Sequence, residues 1–226
     1  MSGAMTGRLV VPGEIIVTGD FRPGENTAKM MSSIVATRTG ILRVTGHVVS
    51  VIALKGFYTP SIGDLVVGVV EGVTGNSWKV DINAPYPATL LAMEIFGRRF
   101  DPLRHTLIER LPLGSVVYAK VRTFDRTQDI TLSIRGPGLG RVERGILAYI
   151  TPSKIPRLIG KSGSMITLMK QFTKAKIIVG RNGRIVVISD DKSSEERVLA
   201  AIRKIDDEAH ITGLTERVLK VLRGEA

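Results

Sequence analysis

Two glycines three residues apart frame a lysine and a serine in the segment Gly160-Lys161-Ser162-Gly163. A glycine has no Cβ, so a phosphate-bearing backbone can approach the main chain closely at both ends of this tetrad. A predicted helix begins near Ser164, and its first N–H groups are free to donate to an anion. Lys161 adds a cation at the same place. The spacing therefore predicts a loop that binds phosphate groups.

Two other interpretations of the tetrad are open. Gly-Lys-Ser also ends the P-loop of nucleotide hydrolases, but that motif needs a glycine five residues before Gly160, where Ile155 stands. The tetrad would otherwise be a plain turn between two core helices. The local charge favours phosphate binding, because residues 151–189 contain eight basic and no acidic residues, and such a stretch attracts a polyanion. A basic surface kept for solubility is the alternative explanation of that charge.

The elements around the tetrad follow the order strand, helix, helix, strand, strand, helix over residues 141–226. Gly180-Arg181-Asn182-Gly183 predicts the hairpin turn between the last two strands. Ser193 and Glu196 are spaced as a capping box for the last helix. The predicted elements are a strand over Val142–Ile150, a helix over Ser164–Thr173, strands over Lys176–Val179 and Arg184–Ile188, and a final helix with Val198, Ile202 and Ile205 on one face.

This order with a GXXG loop is the arrangement of a KH domain, whose loop clamps about four nucleotides. We expect Ile159 to belong to the loop site together with the tetrad. Within the helix that follows the loop, Ile166, Met169 and Phe172 recur at helical spacing. The apolar floor on which bases would rest is predicted to consist of Ile155, Leu158, Ile159 and Ile166.

Residues 58–136 read as five short strands, which predicts a small closed barrel. The predicted strands are Gly63–Val73, Trp78–Ile82, the apolar run Ala88–Phe96, Ser115–Phe124 and Asp129–Arg135, followed by the linker Pro137-Gly138-Leu139-Gly140. Such a barrel is a platform for nucleic acid. The candidate contacts on it are Lys79, Tyr86, Arg98, Arg99 and Arg126.

Aromatic residues are only 5% of the chain, so stacking on this barrel has few candidates. Trp78, Phe96 and Phe100 are expected to pack in the core rather than to contact bases. Arg98 and Arg99 fit a phosphate contact and a solvated turn equally well.

Residues 1–57 predict a third block of short strands, because β-branched residues alternate with glycine and proline there. A block this small is marginal alone, so docking onto a partner would stabilise it. Its charge differs from that of the rest: the net charge of +11 lies wholly beyond residue 97, since residues 1–97 hold seven basic and seven acidic residues.

The composition argues against several classes of protein. The chain has no cysteine and three widely spaced histidines, so we expect no disulfide, no metal site and no cofactor. No apolar run reaches the ~18 residues that span a bilayer, and no signal peptide is visible. These features predict a cytoplasmic protein without a membrane partner. The acidic clusters Asp190-Asp191 and Asp206-Asp207-Glu208 have no partner base or metal ligand and read as solvated surface.

Several segments resemble known families. Gly63–Val70, Trp78–Ile82 and Asp129–Arg135 resemble an S1-type RNA-binding domain, and Ile159–Gly163 resembles a KH domain. The combination of a β block, one S1 domain and one KH domain resembles the RNA-binding cap subunit of the archaeal exosome, the ribosomal RNA-processing protein four family. The segment Ser77–Pro85 is particularly similar to that family.

The resemblance implies a mixed β and α+β fold with a five-stranded OB barrel and a type I KH domain. It implies a non-catalytic subunit, present in three copies, that sits on a hexameric phosphorolytic ring through its N-terminal block. Its S1 and KH surfaces would capture single-stranded RNA and feed the 3′ end to the ring.

One departure from the family changes the expected role of the barrel. The usual S1 surface has two aromatic residues after the first turn and a histidine in the third strand, whereas this chain has Asn76-Ser77-Trp78 and the strand Ala88–Glu94. We therefore expect Lys79 and the arginines to guide phosphates and the KH groove to recognise bases.

Two further proteins share parts of this pattern. The first is a transcription termination and antitermination factor with S1 followed by two KH modules, only one of which fits here. The second is polynucleotide phosphorylase, in which KH precedes S1.

Overall fold

Pro12 and Gly13 divide the first apolar run of the N-terminal block between two small sheets. The computed structural model describes residues 6–54, 57–102, 104–125, 128–209, 211 and 213–224, with Arg99, Asp125 and Gln128 described by backbone alone. Gly13 has a φ of +85°, which turns the chain between the first two strands. The strands of this block are β1 (Leu9–Val10), β2 (Ile15–Thr18), β3 (Arg22–Pro23), β4 (Thr27–Met30), β5 (Ser33–Ala36), β6 (Gly40–Thr45) and β7 (Val48–Ala53).

These strands form one sheet in the order β1-β6-β7-β3 and another in the order β2-β5-β4. Their inward side chains share one core, made of Val10, Ile16, Val17, Ile34, Ala36, Leu42, Val49 and Val51. The predicted β fold of this block is confirmed. Strands β4 and β5 were not predicted, because their sequence Thr27–Ala36 alternates too weakly in polarity. The unit Met1–Gly56 is separate from the unit Phe57–Ala226.

The second unit begins with a closed barrel, as the sequence predicts. Its strands are β8 (Leu65–Thr74), β9 (Ser77–Asp81), β10 (Ala88–Leu91), β11 (Val116–Asp125) and β12 (Gln128–Ser133). Each strand pairs with the next in the order β12-β10-β9-β8-β11, and β11 pairs with β12 to close the barrel. Strands β10 and β12 run parallel, and the other pairs are antiparallel.

Two predictions about the barrel segments were wrong. The third strand ends at Leu91 and not at Glu94 or Phe96, because the chain turns into helix α1 (Met93–Phe96) and a 3-10 turn over Gly97–Arg99. The segment Pro137–Gly140 is not simply a linker, since Gly140 begins strand β13 (Gly140–Val142), which pairs with β11. Helix α2 (Leu107–Arg110) lies between α1 and β11.

The remaining chain has the βααββα order that the sequence predicts, with one added helix. Strands β14 (Ile146–Tyr149), β15 (Lys176–Val179) and β16 (Arg184–Ile188) form an antiparallel sheet in the order β14-β16-β15. The helices are α3 (Ile155–Ile159), α4 (Ser164–Thr173), α5 (Lys192–Glu208) and the added α6 (Leu214–Arg223), with 3-10 turns over Pro152–Lys154 and Lys161–Gly163. The predicted OB barrel and type I KH fold are both confirmed.

Local details of this module differ from the predictions. The strand expected over Val142–Ile150 is broken by Gly145, whose φ is +127°. The cap of α5 is Asp191, which accepts hydrogen bonds from the N–H groups of Ser193 and Ser194, so the proposed capping box at Ser193 and Glu196 is wrong. Among the described residues, no helix is both long and apolar enough to cross a membrane.

Candidate nucleic-acid interface

The tetrad forms an open turn between helices α3 and α4. Helix α3 ends at Ile159, and Gly160 leaves it with φ +76° and ψ +173°. Ser162 (φ +53°) and Gly163 (φ +80°) also have positive φ, so the backbone reverses within three residues before α4 begins at Ser164. No side chain caps the N-terminus of α4. The N–H of Ser164 donates to the carbonyl of Lys161 and the N–H of Gly163 to the carbonyl of Gly160, but the positive pole of the helix dipole at this end still attracts an anion.

The two glycines serve different physical purposes. A Cβ on Gly160 would lie 2.7 Å from the N atom and 2.8 Å from the Cβ of Met165, so the start of α4 leaves no space for a side chain. A Cβ on Gly163 would meet nothing within 4 Å, and only its positive φ favours glycine. The first glycine lets the two helices approach, and the second leaves an open face beside Lys161, which is exposed.

The charge beside the loop divides into paired and unpaired cations. Three of the eight basic residues of 151–189 form ion pairs: Lys154 with Asp206, Arg181 with Asp64, and Arg184 with Asp81. The other five are exposed, and within the described part of the chain none of them has an acidic partner; they are Arg157, Lys161, Lys170, Lys174 and Lys176. The anion-attracting surface is thus smaller than the sequence count indicates.

The predicted apolar floor is only partly available. Ile155 (4% exposed) and Leu158 (0%) lie in the hydrophobic core of the KH module, so they cannot support a base. Ile159 is 37% exposed and Ile166 is half-buried. Phe172, which recurs at helical spacing with Ile166 and Met169, is 41% exposed, and the Arg223 guanidinium lies 6.0 Å from its ring centre.

The hairpin turn Gly180–Gly183 joins the KH module to the barrel, which the sequence did not reveal. The side chain of Asn182 is fully buried. Its Nδ2 donates to the carbonyl oxygens of Val67 (2.7 Å) and Ile82 (2.8 Å), and its Oδ1 accepts from the N–H of Val67 (3.2 Å). A Cβ on Gly180 would lie 2.7 Å from the N atom of Val67, so the approach also requires this glycine.

Charged groups surround this contact between the Gly180–Gly183 turn and the barrel, which we call the joint. The Arg184 side chain is 7% exposed, pairs with the Asp81 carboxylate, and donates through Nη1 to the Asp81 carbonyl at 2.5 Å. Asp64 receives the Arg181 guanidinium at 3.3 Å and a hydrogen bond of 2.8 Å from the Tyr58 hydroxyl. Burial, and then the hydrogen bond to Asp64, raise the pKa of Tyr58 far above its ordinary value. Barrel and KH module therefore behave as one body.

The candidate residues on the barrel lie at separate places. Lys79 is exposed in the middle of β9, opposite Thr89 of β10. Tyr86 lies in the β9–β10 loop, half-buried, with its ring edge against Phe124 at 5.3 Å between centroids. Arg98 is exposed beyond the other end of β10.

Two more of these candidates are only partly covered by the structure. Arg99 is described by its backbone alone, and Arg126 falls outside the described residues. The three candidates with described side chains, Lys79, Tyr86 and Arg98, lie at different places on the barrel.

The aromatic residues expected to be core are core. Trp78 is fully buried in the barrel, and its Nε1 donates to the carbonyl of Leu111 at 3.1 Å. Phe96 and Phe100 pack against the barrel core and around His105, with ring centres 4.5 and 6.0 Å from the imidazole.

Comparison with known proteins agrees with this geometry. A family model described as the RRP4 S1 domain matches residues 57–98, and a KH domain model matches residues 147–207. The chain is 39% identical to "Exosome complex component Rrp4" of Nitrosopumilus maritimus over 221 residues, which cover 97% of this chain and 98% of the relative. It is 41% identical to the protein of the same name from Thermococcus kodakarensis, covering 95% of this chain and 84% of the relative.

The chain belongs to the Rrp4 family. A solved structure agrees: a crystal structure described as that of an exosome complex RNA-binding protein superimposes with a TM-score of 0.71 at 39% identity, covering 75% of this chain and 97% of the other. The resemblance on which the sequence expectations rest is thereby confirmed.

The acidic clusters of this Rrp4 chain have structural contacts. Asp191 caps α5, Asp190 pairs with Arg144 at 2.7 Å, and Glu208 pairs with Lys204 at 2.8 Å. Asp206 accepts from the N–H of Thr151 at 3.2 Å, which ties α5 to the turn that precedes α3. Among the described residues, no group of three or more histidine, aspartate or glutamate side chains is arranged to hold a metal ion.

Replacing Asn182 with alanine should uncouple the two modules. The change leaves two carbonyls and one N–H of the barrel without their partners in a buried place, so we expect the free energy of unfolding to fall by roughly 3 kcal/mol or more. Urea unfolding, monitored by both circular dichroism and Trp78 fluorescence, measures this free energy. The control is Asn76→Ala in the exposed turn between β8 and β9. Equal stability of both variants would contradict the assigned role of Asn182.

Asp206 should make the free energy of unfolding depend on pH in the acidic range. Burial alone would raise its pKa, but the hydrogen bonds from Thr151 and Lys154 outweigh burial and hold the pKa below the ordinary value. A lowered pKa stabilises the fold above the ordinary pKa of ~3.9, and that contribution is lost as the pH falls through the lower folded value. We expect Asp206→Asn to cost about 1 kcal/mol near neutral pH and nothing in strong acid. Exposed Asp207→Asn, compared by urea titration at several pH values, should show no such dependence.

Proposed function

We propose that this chain is a non-catalytic RNA-binding cap subunit of an exosome. It captures single-stranded RNA on the surface shared by its S1 and KH modules and feeds the 3′ end to a hexameric phosphorolytic ring. The observation that carries this proposal is the open Gly160–Gly163 loop, with a helix N-terminus that no side chain caps and unpaired cations beside it. Membership in the Rrp4 family supports the exosome context, and it argues against the transcription-factor alternative.

The KH loop is proposed to hold the RNA backbone. Lys161 and the positive end of the α4 dipole would attract phosphate, while the open side of Gly163 lets the backbone approach. Ile159, exposed at the end of α3, is placed to support a base. We assign the loop site to Ile159, Gly160, Lys161, Ser162 and Gly163.

The barrel is proposed to guide the backbone rather than to read bases. Its only tryptophan is committed to the core, and Tyr86 already packs its edge on Phe124. Positive side chains then remain as the means of contact, and phosphate contacts do not depend on the base sequence. We assign this role to Lys79, Arg98, Arg99 and Arg126, with Tyr86 beside them.

The N-terminal unit is proposed to dock on the ring, with three copies per complex. Leu9, Ile41 and Ile52 are direct cross-strand neighbours on the outer face of the first sheet, and they are 57%, 38% and 44% exposed. Ile15 and Val35 are cross-strand partners on the outer face of the second sheet, and Ile15 is 61% exposed. Apolar rows of this kind are typical of protein–protein contact surfaces. The three-domain division 1–57, 58–136 and 141–226 and a cytoplasmic location belong to the same proposal.

Negative charge in the loop should abolish RNA capture. We expect Lys161→Asp with Ser162→Asp to weaken binding of a fluorescein-labelled oligoadenylate by at least ~10-fold, because carboxylates would stand where phosphate must lie. Fluorescence anisotropy measures the affinity. The matched control is Lys192→Asp with Ser193→Asp, which makes the same charge change at the exposed start of α5. Equal affinities of the two variants, both folded, would rule out the loop as the binding site.

Charge in the first apolar row should prevent assembly without affecting RNA binding. Ile41→Glu with Ile52→Glu places two carboxylates in the row, and burying them unpaired against a partner is costly. Size exclusion with light scattering, after co-expression with ring subunits, should show a three-to-six complex for the unchanged chain and none for this variant. Ile108→Glu on exposed α2 is the control.

With RNA and phosphate, nucleoside diphosphates should appear only from the complex, and their release by the isolated chain would contradict a non-catalytic role.

A further inference from the structure

Glu94 is a buried carboxylate that holds two exposed arginines on the barrel. Its side chain is 3% exposed, and its Oε1 lies 3.5 Å from Arg122 Nη1 and 3.5 Å from Arg135 Nε. Its other oxygen accepts a hydrogen bond from the Ser133 hydroxyl. Arg135 is fixed a second time, because its Nη2 donates to the carbonyl of Met93 at 2.8 Å. Both guanidiniums are thus oriented by helix α1.

Arg122 lies on strand β11, and Arg135 lies two residues beyond the end of β12. Val121 belongs to the barrel core, whereas Lys120 and Arg122 on either side of it are exposed, and the register of β11 against β12 shifts at Arg122. Lys120 is also the direct cross-strand partner of Ser133. Two guanidiniums therefore contact one carboxylate. With the exposed Lys120 on the same strand as Arg122, these four groups have a net charge of about +2 at neutral pH.

Glu94 cannot occupy all the donors of its partners. Each guanidinium carries five N–H groups. Among the described residues, Arg122 uses one nitrogen and Arg135 uses two for the contacts above. The side chains remain 62% and 61% exposed. The remaining donors face solvent, in the forked geometry that binds phosphate oxygens in pairs.

We propose that Lys120, Arg122 and Arg135 form a second site for RNA phosphates, with Glu94 as their positioning residue. The proposal rests on RNA binding by this chain and adds a place on β11 and just beyond the end of β12, a part of the barrel that carries none of the candidates with a described side chain. Two neighbouring phosphodiesters of a single strand supply the charge that balances the net excess. Loose surface arginines would lose side-chain entropy on binding, whereas these two are already ordered.

An adjoining cleft gives room for the rest of a nucleotide. It has a volume of about 350 Å³, and its charged lining residues are Glu94, Glu143, Arg110 and Arg141. That volume lies at the lower end of the ~300–1,000 Å³ of small-ligand sites. A strand held by its phosphates at the arginines has space here for a sugar and base.

The alternative is that the arginines serve only to neutralise Glu94. The two explanations predict opposite signs for Glu94→Gln, which removes a negative charge and keeps the size. If the arginines only neutralise Glu94, the variant has one negative charge fewer at this surface and binds RNA more tightly. If Glu94 positions the arginines, the variant binds at least about twofold more weakly despite its extra positive charge.

The salt dependence of RNA binding tests the site directly. Each phosphate contact to a single strand contributes about 0.7 to the slope of log affinity against log salt. Arg122→Ala with Arg135→Ala should therefore lower the slope by about 1.4, so that the loss of affinity between about 50 and about 200 mM salt becomes about sevenfold smaller. The measurement is anisotropy of labelled oligoadenylate with the full chain, with folding checked by circular dichroism.

The control removes two arginines of similar exposure that also pair with a carboxylate. Arg104 pairs with Asp101 and Arg144 with Asp190, and their side chains are 85% and 71% exposed. We expect Arg104→Ala with Arg144→Ala to change the slope much less. An unchanged chain that fails to bind RNA would overturn the proposed function itself. Normal binding with equal slopes for the two double variants, or tighter binding by Glu94→Gln, would overturn this site alone.

Discussion

The buried side chain of Asn182 is the contact on which the RNA-directed half of the molecule depends. It replaces solvent for two carbonyls and one N–H of the barrel, and each of these groups would be costly to bury without a partner. The Arg184–Asp81 pair beside it is favourable only while both partners are present, since either charge alone would be buried unpaired. Because such contacts are made together or lost together, the orientation of the KH loop relative to the barrel is fixed.

This joint also determines which charges can meet RNA. Arg181 and Arg184 contribute to the basic stretch in the sequence, but their guanidiniums hold the barrel. Lys154 likewise holds α5 through Asp206. Cations without a carboxylate partner keep their full attraction for phosphate, whereas paired ones contribute mainly order. The surface proposed to bind RNA is therefore narrower than the basic stretch of the sequence and centres on the loop and α4. Because the barrel is joined to the KH module without a flexible hinge, RNA held at the loop can continue onto the barrel.

The sequence could predict what is encoded locally and could not predict what depends on distant partners. The Asn-Gly turn at residues 182–183 was correctly predicted as a hairpin, yet the burial of Asn182 depends on Val67, 115 residues away. The start of α5 has two cap formers, Asp191 and Ser193, only two residues apart, and local spacing could not choose between them. Glu94 was included in a strand because its neighbours are apolar. Only its pairing with arginines from β11 and the end of β12 explains a buried carboxylate there.

Under the proposed function, the division of charge along the chain follows from two incompatible requirements. A surface that docks permanently on another protein gains most from apolar rows such as Leu9, Ile41 and Ile52, because burial of apolar area needs no exact charge partner. A surface along which RNA must advance has to release each phosphate as well as bind it. Charged contacts in water are individually weak and screened by salt, which permits such exchange. Glu94 then has a clear physical use, since one buried anion moderates the cations around it and keeps them ordered. A strand can pass such a site without being trapped.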